Sequence, residues 1–430
     1  MEKALVRSAL QDFVMHKKAH IIGGGMSGLA AAVALAKKGY APIVYESGPQ
    51  AGGRCRSYHD KELDALIDNG NHLLLSGNPH VMRYLDTVGA IDTLEGPDAP
   101  LFPFIDLATG RRWDLRPSRG KLPWWLLDKN RRVPETRIRD YFEPIKLAFA
   151  KPDATVAQVL NPRSILYRRL WDPLSVSALN TQSAEASARL FWTIIHETLG
   201  AGGKACVPLV PKLGLSESLV DPAISYIDSK GGCVKLHSRI AKLSFDQKTV
   251  SGIEIAGGQA IAIDAKTPVV LAVPAPVAAA LLPGIDHPTQ HRSIVNLHYR
   301  VDLPPRMPPF IGIVGGTAEW AFVKPGILSV TISAADHLAD TPAESLAEMV
   351  WNELGHIYDL PLVLPKYRVV KEKRATFAAT PDQLQHRPGA LTNWKNLFLA
   401  GDWTDTGLPS TIEGSVKSGH TAAGLVLKNT

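Results

Sequence analysis

The chain has 430 residues, 45 % of them hydrophobic and 20 % charged, with a net charge of +6 and a pI near 9.0. That balance excludes a disordered or fibrous chain and leaves room for two or three domains with large cores. Three scattered cysteines, Cys55, Cys206 and Cys233, have no metal-ligand or CxxC spacing, which argues against a disulfide framework and for a reducing cytosol.

The first twenty residues have no sustained apolar run and no small-residue cleavage site, so they are not read as a signal peptide. From Ala19 a short apolar strand runs into Gly23-x-Gly25-x-x-Gly28, followed by an Ala/Leu helix, Gly39, a second strand (Ile43, Val44, Tyr45) and Glu46. Gly23 suits a tight turn, Gly25 lets backbone approach a pyrophosphate, and Gly28 lets helix pack closely on strand. The helix opens at Met26 and Ser27 and turns its partly positive end towards the phosphates. Glu46, placed to accept from ribose hydroxyls, disfavours a 2′-phosphate. Strand, glycines, helix, strand and acid in register predict a dinucleotide site.

Past the second strand, GPQAGGRCRS puts Gly52, Gly53, Arg54 and Arg56 where backbone and positive charge would meet that pyrophosphate. This stretch resembles the second FAD signature of the amine oxidase and phytoene desaturase superfamily. The resemblance implies a Rossmann-like FAD-binding domain, of mixed α/β and α+β class, joined to a substrate domain with a mixed sheet and helices. In that superfamily the region of Asp68-Asn69-Gly70-Asn71-His72 passes close to the flavin ring. Gly70 and Asn71 are then expected cofactor contacts, and His72 a candidate catalytic residue that donates a proton or holds a water. The other reading of His72 is a structural histidine beside an apolar run.

Residues 111–139 hold ten Lys/Arg against three acids, interleaved with Trp113, Trp124 and Trp125. The pattern suits an anionic membrane surface, with a solvated loop over core tryptophans as the alternative. No nucleic-acid module accompanies it, so nucleic acid is not an expected partner. Trp171-Asp172-Pro173-Leu174 and Ala178-Leu179-Asn180-Thr181, together with DNGNHLLL (68–75) and GDWTDTGLPSTIEG (401–414), sharpen the likeness. This set resembles the bacterial squalene-associated flavoenzymes, the hydroxysqualene dehydroxylases. The likeness spans residues 19–424 in broken blocks and leaves the Met1–Lys18 leader outside.

Residues 224–273 read as a helix end, Gly-Gly and several short strands, the last resembling the superfamily's return to the FAD sheet. The uncharged stretch 268–285 is long enough for a membrane span, but its prolines favour a buried strand from Val269 to Val273, a turn and a short helix. Near the C-terminus, Leu397 to Ala400 form a strand ending in Gly401-Asp402. By resemblance, Asp402 would bond the ribityl hydroxyls, while backbone N–H groups near Thr411 and Ile412 would face the flavin's pyrimidine edge. A cysteine linkage near the C-terminus, used by some relatives, has no residue to use after Cys233, so FAD is expected to be non-covalent.

The implied organisation is a discontinuous FAD-binding domain (17–76, 206–280 and 391–430), a substrate domain (77–205 and 281–390) and an N-terminal extension (1–16). The implied activity is FAD-dependent removal of the hydroxyl of hydroxysqualene to give squalene, with squalene-synthase-like enzymes upstream. The expected location is the cytoplasm, with peripheral contact at the inner face of the cell membrane through 111–139. Carotenoid-type desaturation, amine oxidation and a non-catalytic FAD-binding isoprenoid carrier are the alternatives.

Overall fold

A computed structural model describes residues 17–303 and 307–429. The expected N-terminal extension, 1–16, lies outside them.

Five short parallel strands form one sheet in the order Cys233–Lys235, Tyr40–Tyr45, Lys17–Ile22, Val269–Leu271, Leu397–Leu399. The first strand begins at Lys17, inside the leader, because Lys17 and Lys18 pair with Tyr40 and Ala41. Alternation sends Ile21, Val270 and Phe398 to one face and Ile22, Leu271 and Leu399 to the other, both buried. A parallel sheet covered on both faces needs this near-continuous apolar character.

One face carries the helices Met26–Ala36, Asp221–Ser229 and Ile412–Asn429. Ten of the eleven residues of Met26–Ala36 are buried, as expected of a helix apolar on all sides. The terminal helix crosses it at Gly419, where an added Cβ would lie 2.2 Å from the Ser27 carbonyl oxygen. The small-residue run SGHTAAG is therefore a packing device that brings the last helix against the glycine-rich one. Helix Pro79–Val88, placed with the substrate half by the sequence reading, lies with this group instead. It buries Val81, Tyr84 and Leu85 in the same core.

The opposite face meets three antiparallel strands, Ile240–Asp246, Thr249–Ile255 and Gln259–Ala262, and helix Ala275–Leu281. Residues 268–285 thus form a buried strand, which stops at Leu271, then a turn and a short helix. No helix among the described residues is long and apolar enough to cross a membrane.

The second large sheet has seven strands in the order Tyr367–Phe377, His291–Arg300, Ile327–Ile332, Trp320–Lys324, Phe310–Val314, Phe102–Asp106, Arg111–Leu115. All pairings are antiparallel except Phe310–Val314 with Phe102–Asp106. Helix Ala343–Tyr358 shares its core.

The basic segment 111–139 departs from the membrane expectation at two of its three tryptophans. Trp113 points inward from the edge strand, stacked on Phe104 at 5.5 Å with the Arg169 guanidinium over its ring. Trp125 is buried edge-on against Tyr141. Trp124 alone of the three is exposed, at 66 %. The following 3₁₀ run, Ile138–Phe149, adds Ile138, Phe142, Ile145 and Phe149 to the exposed apolar residues.

Candidate active site

Between the two large sheets lies a cavity of about 540 Å³, lined from both ends of the chain and from the substrate sheet. The dinucleotide motif forms one end. Gly23 turns at φ +108°, and an added Cβ on Gly28 would sit 1.9 Å from the Gly23 carbonyl oxygen, so the helix can start here only with glycine at 28. Gly28 itself does not face the cavity. Gly25, Met26 and Ser27 do, and an added Cβ on Gly25 would meet no atom within 4 Å. Backbone is thus presented to open space at the helix N-terminus. Glu46 closes this end, its carboxylate accepting from the Gly24 N–H at 2.8 Å and the Gly48 N–H at 2.7 Å.

The second signature and the C-terminal motif meet in the middle. Arg54 pairs with Asp402 at 2.7 Å, donates to the Ala375 carbonyl and lies 3.5 Å from the Ser410 hydroxyl, which also bonds Asp402. Burial alone would raise the Asp402 pKa, but the charge and hydrogen bond of Arg54 outweigh it and hold the carboxyl below its usual range. Gly53, Gly401, Thr411 and Ile412 line the cavity beside this pair. Arg56 does not line it. Its guanidinium donates to the Gly53 carbonyl at 3.1 Å and borders a separate, open pocket with Tyr58 and Arg368.

The start of the last helix is braced from outside. The Asn78 side chain, at the N-cap of helix Pro79–Val88, is committed to the Leu75 N–H. Glu413 takes over the capping, accepting from His80 N–H at 3.0 Å and Val81 N–H at 2.9 Å. This ties the backbone of Thr411 and Ile412 to a neighbouring helix.

In the loop after Asp68, roles divide by residue. Asp68 is structural, accepting from the Ser57 hydroxyl at 2.6 Å and the Leu215 N–H at 2.9 Å while pairing with Lys324. Asn69, Gly70, Asn71 and His72 face the cavity. Asn71 reaches the substrate sheet, donating to the Thr331 hydroxyl at 3.1 Å. His72 makes no hydrogen bond to any described residue, and burial lowers its pKa to about 4, so the ring is neutral at pH 7.

Asn180 of the ALN motif stands behind the wall. Capping helix Asp172–Leu179 in the left-handed conformation, it accepts from Ala334 N–H at 2.6 Å and donates to Thr376, a cavity residue, at 2.9 Å. Arg387 went unnoticed in the sequence because no motif surrounds it. It stacks on cavity-lining Phe377 and bonds the Asp402 and Thr404 carbonyls, anchoring the GDWT loop. Trp403 lines the cavity but spends its indole N–H on the Val273 carbonyl at 2.8 Å.

An open glycine cradle, a helix N-terminus, the Glu46 carboxylate at the end of the second strand and a bracing Arg–Asp pair fit a flavin dinucleotide. The profile of flavin containing amine oxidoreductases matches residues 26–427. The chain belongs to this family. A relative within reach of full-length alignment is hydroxysqualene dehydroxylase of Rhodopseudomonas palustris, 48 % identical over 96 % of this chain and 99 % of that protein. Hydroxysqualene dehydroxylase of Sinorhizobium fredii is 46 % identical over 97 % of this chain and 100 % of that protein. Cyclohexylamine oxidase from Brevibacterium oxydans has the same fold, with a TM-score of 0.68, 15 % identity and coverage of 96 % of this chain and 99 % of that one. As a flavin-containing amine oxidoreductase family member, the chain is an FAD-dependent oxidoreductase.

Proposed function

We propose that the protein reductively removes the hydroxyl of hydroxysqualene to give squalene. The observation that carries this reading is near-full-length identity approaching one half to two proteins named for that reaction. The cavity is consistent with it. Val273, Pro276, Val277, Ile294 and Phe377 offer an apolar surface for an isoprenoid chain beside the cofactor end. Bound FAD, reduced beforehand by an external donor, would supply the hydride, and the hydroxyl would leave as water with a proton drawn from the medium. Gly25, Met26, Ser27 and Glu46 hold the adenosine and pyrophosphate side, and Gly53, Arg54, Gly401 and Asp402 hold the central arm. Ile412 would present its backbone N–H to the ring, whereas the Thr411 N–H is spent on the Pro409 carbonyl at 2.8 Å. The apolar wall excludes bulk water, and His72, neutral at pH 7, meets the leaving hydroxyl as a hydrogen-bonding group. Squalene-synthase-like enzymes supply the alcohol.

With FAD reduced and oxygen excluded, hydroxysqualene should become squalene while the flavin reoxidises in step. His72→Ala should slow this single turnover about tenfold if the ring assists departure of the hydroxyl, the effect of roughly 1.4 kcal/mol of hydrogen bonding. Conversion of squalene to more unsaturated products by the oxidised enzyme would replace this reading with desaturation.

Trp124, at 66 % exposure, and Phe149, at 85 %, are read as the contacts with an anionic membrane, the phase in which the substrate dissolves. Residues 121–151 carry eight Lys/Arg against four acids. The holoenzyme should sediment with anionic vesicles and be partly released by high salt. A Trp124→Ala/Phe149→Ala double variant should lose most of the salt-resistant fraction. Unchanged sedimentation of that variant would remove these side chains from the contact.

A further inference from the structure

A chain of side-chain hydrogen bonds runs along the cavity wall. Asn71 donates to the Thr331 hydroxyl at 3.1 Å, Thr331 donates to the Asn296 side-chain oxygen at 2.8 Å, and the Asn296 amide donates to the Asn69 carbonyl at 3.4 Å. All four residues line the cavity. The chain of bonds joins the loop after Asp68 to two neighbouring strands of the substrate sheet, His291–Arg300 and Ile327–Ile332. Its direction leaves particular atoms over. The Asn71 side-chain oxygen and both ring nitrogens of His72 have no partner among the described residues. An acceptor and an imidazole N–H are thus both presented to the cavity, on a wall they share with the apolar Ile294 and Phe377.

The remaining polar side chains on the substrate side are placed differently. Arg374 is exposed, Glu372 also borders the open second pocket, Thr376 accepts from Asn180, and His291 spends one ring nitrogen on the Thr289 carbonyl. The Asn71–Thr331–Asn296 strip is the polar feature embedded in the greasy part of the wall.

We propose that this strip, with His72, is the recognition site for the substrate's single hydroxyl. The alcohol donates to the Asn71 oxygen and accepts from the neutral His72 ring, while Thr331 and Asn296 hold the Asn71 amide in the orientation that exposes that oxygen. Thr331 and Asn296 are positioning residues. The proposal rests on the reading of the substrate as an allylic isoprenoid alcohol. Its consequence is selectivity by phase of the reaction. A site built to hydrogen-bond a hydroxyl is left with unpaired groups when the hydrocarbon occupies it. Squalene, which lacks the hydroxyl, is therefore held less tightly than the alcohol that gave rise to it, and the product leaves.

The test uses oxidised holoenzyme, which binds without turnover. Affinities for hydroxysqualene and squalene are measured in the same detergent by perturbation of the flavin spectrum. The wild-type protein should prefer the alcohol by at least about tenfold, the effect of roughly 1.4 kcal/mol of hydrogen bonding. Thr331→Val should cut that preference severalfold with squalene affinity and flavin content unchanged, and Thr331→Ser should restore it. Asn71→Leu should abolish it. A preference that survives Asn71→Leu and Thr331→Val in flavin-replete protein overturns the proposal. So does equal affinity of the wild-type protein for alcohol and hydrocarbon, a result that needs no variant to fold. Failure of the reduced wild-type enzyme to convert hydroxysqualene, with the binding preference intact, would instead count against the dehydroxylase reading and leave the alcohol site standing.

Discussion

A Gly25→Val protein is expected to purify folded and nearly colourless, whereas Gly28→Val should accumulate little folded protein. The two glycines stand three residues apart in one motif, but the structure separates their duties. An added Cβ on Gly25 meets nothing within 4 Å, so the apo fold tolerates it and only the approaching pyrophosphate collides with it. Flavin content should fall at least about tenfold, equivalent to 1.4 kcal/mol or more of lost binding, with little change in circular dichroism. At Gly28 the added carbon would lie 1.9 Å from a backbone oxygen of its own turn, which no side-chain rearrangement relieves. Overpacking typically costs about 1–3 kcal/mol, and a backbone clash exceeds it. Full flavin content in Gly25→Val would mean that the cofactor does not approach this backbone.

Asp402→Ala should lower both flavin occupancy and the stability of the apoprotein, and Asp402→Asn should recover part of the second loss but little of the first. Asp402 accepts from Arg54 and Ser410 at the point where the two ends of the chain meet. Removing it leaves the Arg54 guanidinium without its carboxylate. A fully buried pair broken on one side costs about 3–5 kcal/mol. Arg54 is 38 % exposed, towards the cavity, so about 2 kcal/mol is expected here. Asparagine keeps an acceptor of the same shape without the charge. The folded carboxyl titrates below the usual range, so the unfolded chain takes up its proton first as pH falls. The contribution of Asp402 is therefore present above about pH 4 and is lost as the solution is acidified through its folded pKa. Melting curves of the apoproteins at neutral and acid pH read this directly. Equal melting temperatures for wild type and Asp402→Ala at neutral pH would remove the pair from the stability of the fold.

Local pattern carried the cofactor half of this protein. Gly23 and Gly28, with a strand before and a helix after, specify a turn that only glycine can make, and Gly25 between them leaves the space beside the backbone open. The parallel strands at 269–271 and 397–399 announced themselves as short, uniformly apolar runs, because a sheet covered on both faces leaves no polar position. The turn and short helix within 268–285 followed from proline chemistry alone. Tertiary structure decided the rest, for one physical reason: a side chain's task depends on what another part of the chain brings to it. Arg54 and Arg56 are equivalent in sequence, yet only Arg54 finds Asp402, while Arg56 turns away to the Gly53 carbonyl. Trp113 and Trp125 share a basic segment with Trp124, but strand alternation and Tyr141 draw the first two inward and leave the third in solvent. Asn71 met Thr331 and Asn296 only because the loop after Asp68 packs across a sheet more than two hundred residues away in sequence, a pairing no local spacing encodes.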